Sequence, residues 1–198
     1  MITALEELLL AAAKVQAFIR QHGWRFCFIG GVAVQRWGEP RFTRDIDLTL
    51  LTGFGDEEEF IDTLLQELTP RRPDAREFAL RHRVLLAQTR EGVDVDVALG
   101  ALPFEERTIV RASAWQLRPD VTLTTCSAED LVVHKAFAGR DLDWGDVERI
   151  LVRQHGKLDL KQIHAELKAL LELKGESEAL GKVERMRATV ERRLRGES

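Results

Sequence analysis

Two pairs of aspartates have a spacing that suits metal chemistry. Asp45 and Asp47 flank Ile46, and Asp94 and Asp96 repeat the same alternation farther along the chain. Side chains two residues apart on a strand point to the same face, so each pair places two carboxylates a few ångströms apart. Carboxylates this close repel each other, and a divalent cation bound by their oxygens removes that repulsion. The spacing therefore predicts a site for Mg²⁺ or Mn²⁺.

Each pair also has a simpler interpretation, as a solvated strand end or an exposed residue of a hairpin. Aspartate is disfavoured in strands, so two of them within an apolar run favour the metal site for Asp45 and Asp47. In the second pair, the loop spacing to Phe104 favours Asp96 as a third carboxylate, with Asp94 as the alternative.

Two adjacent glycines, Gly30 and Gly31, follow an apolar run that ends at Ile29. Glycines let the backbone turn tightly and let an anion approach the N–H groups, and the start of a helix favours negative charge. Alone, the pair fits a plain turn. Together with metal-binding carboxylates, it predicts a site that orients a nucleoside triphosphate and shields its α-phosphate, as nucleotidyl transfer requires.

The apolar pattern predicts the elements that position these residues. Helices are expected at 3–21, 32–37, 56–68, 127–138, 144–154, 160–173 and 176–195, and strands at 25–29, 45–51, 84–88, 93–99 and 121–124. The third and fourth strands form a hairpin, and Ser127 caps the helix that follows the last strand, with Asp130 at its third position. Strand-rich thirds followed by a helical third predict an α+β fold, with a core at 1–125 and a helical C-terminal region at 126–198 packed on it.

Composition limits the class of protein. The chain has 198 residues and a formal net charge of −4, which argues against a general nucleic-acid coat protein. The arginines at 71, 72, 81 and 83 form either a basic rim for RNA or a solvated face, and the solvated face is the default. Its apolar runs are too short to cross a membrane, and we expect no membrane partner. Cys27 and Cys126 are expected as reduced thiols in a cytoplasmic protein.

The motifs in order resemble the DNA polymerase β-like nucleotidyltransferase superfamily. They are most similar to its AbiEii-like group, the nucleotidyltransferase toxins of type IV toxin–antitoxin systems and their small relatives. The resemblance spans about residues 26–152. It rests on Gly-Gly followed by Arg-x-Thr-x-Asp-Ile-Asp-Leu, on Val95-Asp96-Val with the loop to Phe104, and on the stretch from Ser127 to Asp146.

The resemblance implies a nucleotidyltransferase-type mixed sheet flanked by helices, and a role for each matching residue. Asp45 and Asp47 would hold the metal ions, and Asp96 would complete the metal site and act as the base for the attacking hydroxyl. Asp143 or Asp146 matches the last motif. The nucleotide-binding residues that it implies are Gly30, Gly31, Arg41, Thr43, Lys135 and Arg140.

Within that set the implied roles differ. The two glycines would cradle the triphosphate, and Thr43 would hydrogen-bond near the phosphates or brace the loop. Lys135 would reach the β- and γ-phosphates as a point charge, supported by Arg41 and Arg140. A lone lysine on an amphipathic helix is usually solvated, but the apolar neighbours of Lys135 place it at the edge of the buried face.

The implied reaction is transfer of NMP from an NTP to a hydroxyl acceptor. The acceptor is a tRNA 3′ end or a protein side chain if the toxin resemblance holds, with a cognate antitoxin as partner, or else a small molecule such as an aminoglycoside. A nucleotide- or partner-binding module without turnover is the alternative. A module that had lost its activity would not need to keep the residues implied for catalysis, and this chain keeps Asp45, Asp47, Asp96 and Lys135.

Overall fold

The computed structural model describes residues 4–196. Its first elements in chain order are α1 (Ala4–Gln21), β1 (Phe26–Phe28), α2 (Gly30–Trp37), β2 (Asp45–Leu51), α3 (Glu57–Glu67), β3 (Thr69–Pro70), α4 (Ala75–His82) and β4 (Val84–Gln88). They are followed by β5 (Asp94–Gly100), α5 (Pro103–Arg111), β6 (Ser113–Arg118), β7 (Val121–Thr125), α6 (Ala128–Ala138), α7 (Asp141–Arg153), α8 (Leu160–Lys174) and α9 (Glu178–Leu194).

The chain divides into two units. The sheet unit contains the described residues up to Val32 together with Phe42–Cys126, and the helical unit contains Ala33–Arg41 together with the described residues from Ser127 onward. The sheet unit holds all seven strands found in residues 4–196, in the order β3-β4-β5-β2-β1-β7-β6.

The sheet is mixed because hairpins alternate with crossovers. β4 and β5 form the predicted antiparallel hairpin, β5 pairs with β2 in parallel, and β2 pairs with β1 antiparallel. β1 then pairs in parallel with β7, whose other edge carries β6. The expected mixed sheet with helices is confirmed, and both of the strands that carry aspartate pairs lie in the middle of it.

The core of the sheet unit explains why these strands take this register. On β2, Ile46, Leu48 and Leu50 are fully buried, while Asp45 and Asp47 point to the opposite, partly exposed face. Each buried aliphatic side chain stabilises the fold by roughly 1.5–3 kcal/mol relative to exposure. The alternation therefore fixes which face of the sheet carries the carboxylates.

In the helical unit, α6 begins where the sequence predicted a cap. The Ser127 Oγ accepts a hydrogen bond from the Asp130 N–H at 3.0 Å, and Gly139 ends the helix with a φ of 69°. α7 and α8 both pack against α6, and Ile150 and Leu167 are among the fully buried side chains there.

The sequence pattern missed four elements, namely β3, α4, α5 and β6. β3 has two residues, too few to show a period. β6 is an edge strand whose side chains are mostly exposed, so it lacks an apolar alternation. α5 had a readable signal, because Pro103 stands at its start and the Glu105 carboxylate accepts hydrogen bonds from the Ala101 and Leu102 N–H groups.

Both cysteines are buried and form no disulfide. Among the described residues, no helix combines the length and apolar character that crossing a membrane requires.

His134 on α6 provides a test of the buried helical packing. Its Nε2 atom has almost no solvent contact, and burial lowers the pKa of His134 from 6.5 to about 4. Between pH 6.5 and 4, His134 binds a proton in the unfolded chain but stays neutral in the folded chain. The free energy of unfolding should therefore fall as the pH is lowered from about 6.5 towards 4, by up to about 1.4 kcal/mol per pH unit.

Urea unfolding at pH 7, 6 and 5 measures this loss. His134→Leu should lose less stability over that range than the wild-type chain, because it has no proton to gain on unfolding. His155→Leu, at an exposed position of the same unit, is the control and should keep the wild-type dependence. Equal losses in the wild type and His134→Leu would show that the imidazole is not held neutral.

Candidate active site

The parallel pairing of β2 with β5 brings the two aspartate pairs together. Asp45 lies opposite Asp94, and Asp47 lies opposite Asp96. Paired residues of neighbouring strands share a face and lie about 4.8 Å apart, so four carboxylates form two adjacent rows. We call this set the carboxylate rows. Each of the four residues is partly exposed, so the rows face solvent rather than the core.

Gly30 and Gly31 border the carboxylate rows because the chain turns sharply beside Asp47. The Ile29 N–H still bonds to the Asp47 carbonyl at 2.9 Å, and Gly30 then adopts a φ of +53° as α2 begins. A Cβ at Gly30 would lie 1.9 Å from Asp47 Oδ2, and one at Gly31 would lie 2.1 Å from Thr43 Oγ1. The site therefore requires glycine at both positions.

Thr43 braces one of the carboxylates. Its side chain is buried, and its hydroxyl donates a hydrogen bond to Asp45 Oδ1 at 3.0 Å. On the neighbouring side, the Gly31 N–H lies 3.4 Å from Asp47 Oδ2, at the long end of hydrogen-bond range. The hydroxyl of Thr43 thus orients Asp45, and the Gly31 N–H lies beside Asp47.

Arg71 binds the second row, which the sequence did not predict. Its Nη1 lies 2.8 Å from Asp94 Oδ2, and its Nη2 forms an ion pair with Asp96 Oδ1. The default interpretation as a solvated arginine is therefore wrong for Arg71. No local signal reveals the contact, because 25 residues separate Arg71 from Asp96 and only the β3-β4-β5 register brings them together.

The environment of Asp96 differs from that of an ordinary surface aspartate. Burial raises the pKa of Asp96, and the charges of Asp45 and Asp94 raise it further, against the opposing effect of Arg71. A carboxylate with a raised pKa is a better proton acceptor once ionised. Burial is the largest cause of the raised pKa of Asp96, and the charge of Arg71 opposes it more than either aspartate charge adds to it.

The carboxylate rows fit a divalent cation by donor type and by register. Carboxylate oxygens are the hard ligands that Mg²⁺ and Mn²⁺ prefer, and the lack of a side chain at Gly30 and Gly31 leaves room for the side chains of Asp47 and Thr43. As the side chains lie, however, no three His, Cys, Asp or Glu residues within 4–196 form a complete metal-binding group. Asp96 is turned towards Arg71 instead.

A second charged group lies in the helical unit. Lys135 on α6 is only 6% exposed, and its Nζ lies 2.9 Å from Asp143 Oδ1 and 3.0 Å from Asp146 Oδ2 on α7. The sequence placed Lys135 at the edge of the buried face, whereas the structure buries it among charges. Asp143 and Asp146 lie one helical turn apart, so both carboxylates reach the same ammonium group.

Two arginines complete this group, which we call the ion cluster. Arg41 makes a bidentate pair with Asp146, with both N–O distances at 2.7 Å, and Arg140 Nε lies 2.7 Å from Asp143 Oδ2. Burial by itself would raise the pKa values of Asp143 and Asp146, but hydrogen bonds from the arginines and from Lys135 outweigh it and lower them. Both aspartates are therefore held ionised, and they orient the cations.

Each unit thus gathers its own subset of the residues predicted from sequence. The sheet unit brings together Gly30, Gly31, Thr43, Asp45, Asp47, Asp94 and Asp96. The helical unit brings together Arg41, Lys135, Arg140, Asp143 and Asp146. Gln35, which the sequence did not single out, fixes the loop of Arg41 by donating to its carbonyl at 2.7 Å.

Comparison with known proteins gives one match at the family level. A protein-family model described as "Nucleotidyl transferase AbiEii toxin, Type IV TA system" matches residues 17–195, most of the chain. No curated protein is detectably similar in sequence.

Solved structures are similar to this chain at low sequence identity. The crystal structure of an antigenic nucleotidyltransferase-like protein from Paracoccidioides brasiliensis is 15% identical with a TM-score of 0.53, covering 89% of this chain and 93% of that one. The antibiotic-resistance factor ANT(2'')-Ia is 16% identical with a TM-score of 0.43, covering 99% of this chain and 96% of that one. JHP933 from Helicobacter pylori is 12% identical with a TM-score of 0.46, covering 98% and 94%.

Replacing Gly30 by alanine tests whether the glycine is required by the carboxylates or only by the backbone. The added Cβ would also lie 2.6 Å from Asp47 Cβ, so rotating the carboxylate does not relieve the clash. Gly53→Ala is the matched control, because Gly53 has a φ of +72° and open space around it. Gly30→Ala should lower the free energy of urea unfolding by about 1–3 kcal/mol more than the control does. Equal losses in the two variants would show that only backbone strain matters at Gly30.

Proposed function

Because the chain belongs to the AbiEii nucleotidyl transferase family of type IV toxin–antitoxin systems, we propose that it transfers a nucleoside monophosphate from an NTP to a hydroxyl acceptor with the help of Mg²⁺ or Mn²⁺. The observation that carries this proposal is the register of β2 against β5. It places four carboxylates on one face, next to two glycines that no side chain can replace without a clash.

In this proposal Asp45, Asp47 and Asp96 are the protein's metal ligands. A bound divalent cation would shield the charge of the α-phosphate and lower the pKa of the attacking hydroxyl. Thr43 keeps Asp45 oriented for this task through its hydroxyl. Gly30 and Gly31 let the chain turn closely past Asp47 and Thr43 into the start of α2, where the helix dipole favours an anion such as the triphosphate.

Asp96 is the proposed base. The acceptor hydroxyl gives its proton to an Asp96 carboxylate oxygen, and its oxygen forms a bond to the α-phosphorus. The bond between the α-phosphorus and the oxygen bridging to the β-phosphate breaks, and pyrophosphate leaves. The raised pKa of Asp96, which burial causes first, suits a proton acceptor.

The proposed role of the ion cluster is to bind phosphate. Asp143 and Asp146 accept from the ammonium group of Lys135, and Arg41 and Arg140 add positive charge beside them. The aspartates act in this account as positioning residues. They hold Lys135 and Arg41 in fixed places, so that a phosphate does not have to immobilise them.

From the family description, we also propose that the chain is the toxin of a toxin–antitoxin pair. We accordingly propose the 3′ end of a tRNA as the acceptor and a cognate antitoxin as the partner. A protein hydroxyl is the other acceptor to test, and both acceptors supply the hydroxyl that Asp96 would deprotonate.

Label transfer from α-³²P-labelled NTPs tests the proposal directly. With Mg²⁺ or Mn²⁺ present, wild-type protein should label either a tRNA pool or a protein extract. Asp45→Ala/Asp47→Ala should reduce the rate about a thousand-fold or more, because a metal clamp supplies several kcal/mol of transition-state stabilisation.

The matched control is Asp120→Ala, which removes an aspartate with a largely exposed side chain from the turn between β6 and β7. It should label at the wild-type rate. Undiminished labelling by the folded double variant would refute the proposed chemistry, and labelled protein without labelled tRNA would reassign the acceptor.

A further inference from the structure

Arg71 lies level with two of the proposed metal ligands, along a line that crosses neighbouring strands of the sheet. The Arg71 N–H bonds to the Leu86 carbonyl at 3.1 Å, which extends the pairing of β3 with β4 by one residue. Leu86 pairs with Asp96, and Asp96 pairs with Asp47. The backbone therefore fixes Arg71 two strands away from Asp96, within reach of an arginine side chain.

The guanidinium group of Arg71 is committed to the second row. Nη1 binds Asp94 and Nη2 binds Asp96, whereas the buried Nε atom has no hydrogen-bond partner within the described part of the chain. The side chain lies where Nη1 and Nη2 bind the carboxylates, although this position leaves a buried donor unsatisfied, which costs free energy. Because Nε has no acceptor in the described part of the chain, the two carboxylates determine where the Arg71 side chain lies.

A divalent cation and Arg71 would use the same group. Asp96 Oδ1 is the atom that Arg71 occupies, and an oxygen that accepts from a guanidinium has that lone pair engaged. A guanidinium held beside Asp96 would also repel an incoming cation. The guanidinium and the cation therefore compete for Asp96, mainly through the repulsion between their positive charges.

The ion pair is nevertheless weak enough to exchange. Arg71 and Asp96 keep 25% and 32% of their side-chain surface exposed. Partly exposed pairs of this kind contribute about 1 kcal/mol or less, in contrast to fully desolvated ones. A divalent cation bound by several carboxylates can displace such a partner.

We propose that Arg71 is a built-in counter-ion of the carboxylate rows, which occupies Asp96 before metal binds and must release it for the cation to reach all three metal ligands. Asp94 then serves as the anchor that retains Arg71 at the edge of the site after release. The inference rests on the proposed function, because it concerns the regulation of the same metal site. It makes the affinity for the cation depend on a residue that does not ligate it.

Direct titration with Mn²⁺, with free Mn²⁺ followed by electron paramagnetic resonance and no nucleotide present, tests this inference. Arg71→Ala should bind Mn²⁺ about three- to tenfold more tightly than wild type, because the competing ion pair is gone. The control is Arg72→Ala, which removes the same charge one residue away, where the arginine pairs with Asp74. The control should stay within about twofold of the wild-type affinity.

The outcomes separate this inference from the proposed function. Tighter binding by Arg71→Ala than by Arg72→Ala supports the counter-ion. Equal or weaker binding overturns it even if label transfer proceeds, and so does absence of Mn²⁺ binding in both wild type and Arg71→Ala. If Arg71→Ala does not fold, Arg71→Gln keeps much of the stem, removes the charge and carries the same expectation. Failure of label transfer in a wild type that binds Mn²⁺ would instead count against the proposed reaction.

Discussion

Repulsion between aspartates on one face of the sheet is the constraint on which the site depends. The parallel register of β2 and β5 sets Asp45 and Asp47 opposite Asp94 and Asp96, at a spacing where ionised carboxylates destabilise one another. The fold offsets this repulsion in part, with the hydroxyl of Thr43 on one row and the guanidinium of Arg71 on the other. A divalent cation bound at the carboxylate rows would neutralise further negative charge there.

The repulsion persists because the buried aliphatic side chains on the opposite face of β2 fix the register of the strands. Ile46, Leu48 and Leu50 of β2 are fully buried, and a shift by one residue would place the carboxylates in the core. The helical unit resolves its charges differently. There Asp143 and Asp146 pair with Lys135, Arg41 and Arg140, and these cations hold both carboxylates ionised.

The sequence was most informative where a single period describes the local structure. It predicted β2, the hairpin of β4 and β5, and the cap at Ser127, because each depends on residues close together in the chain. From spacing and family resemblance it predicted candidate site residues, and the structure places the two predicted aspartate pairs opposite each other. It could not predict the Arg71 pair, because that pair depends on contacts between distant segments. It also missed the burial of Lys135, and it missed the edge strand β6 because the mostly exposed side chains of β6 show no apolar alternation.

The most direct test of the account is a crystal structure grown with Mn²⁺ and a non-hydrolysable NTP analogue, with the metal located by its anomalous scattering. If the carboxylate rows are the metal site, an anomalous peak will lie within coordination distance of carboxylate oxygens of both Asp45 and Asp47. Asp96 will then be turned towards the metal and away from Arg71. A saturated crystal with no peak at the carboxylate rows, or with the metal bound elsewhere, would contradict the central claim that these rows are a metal site.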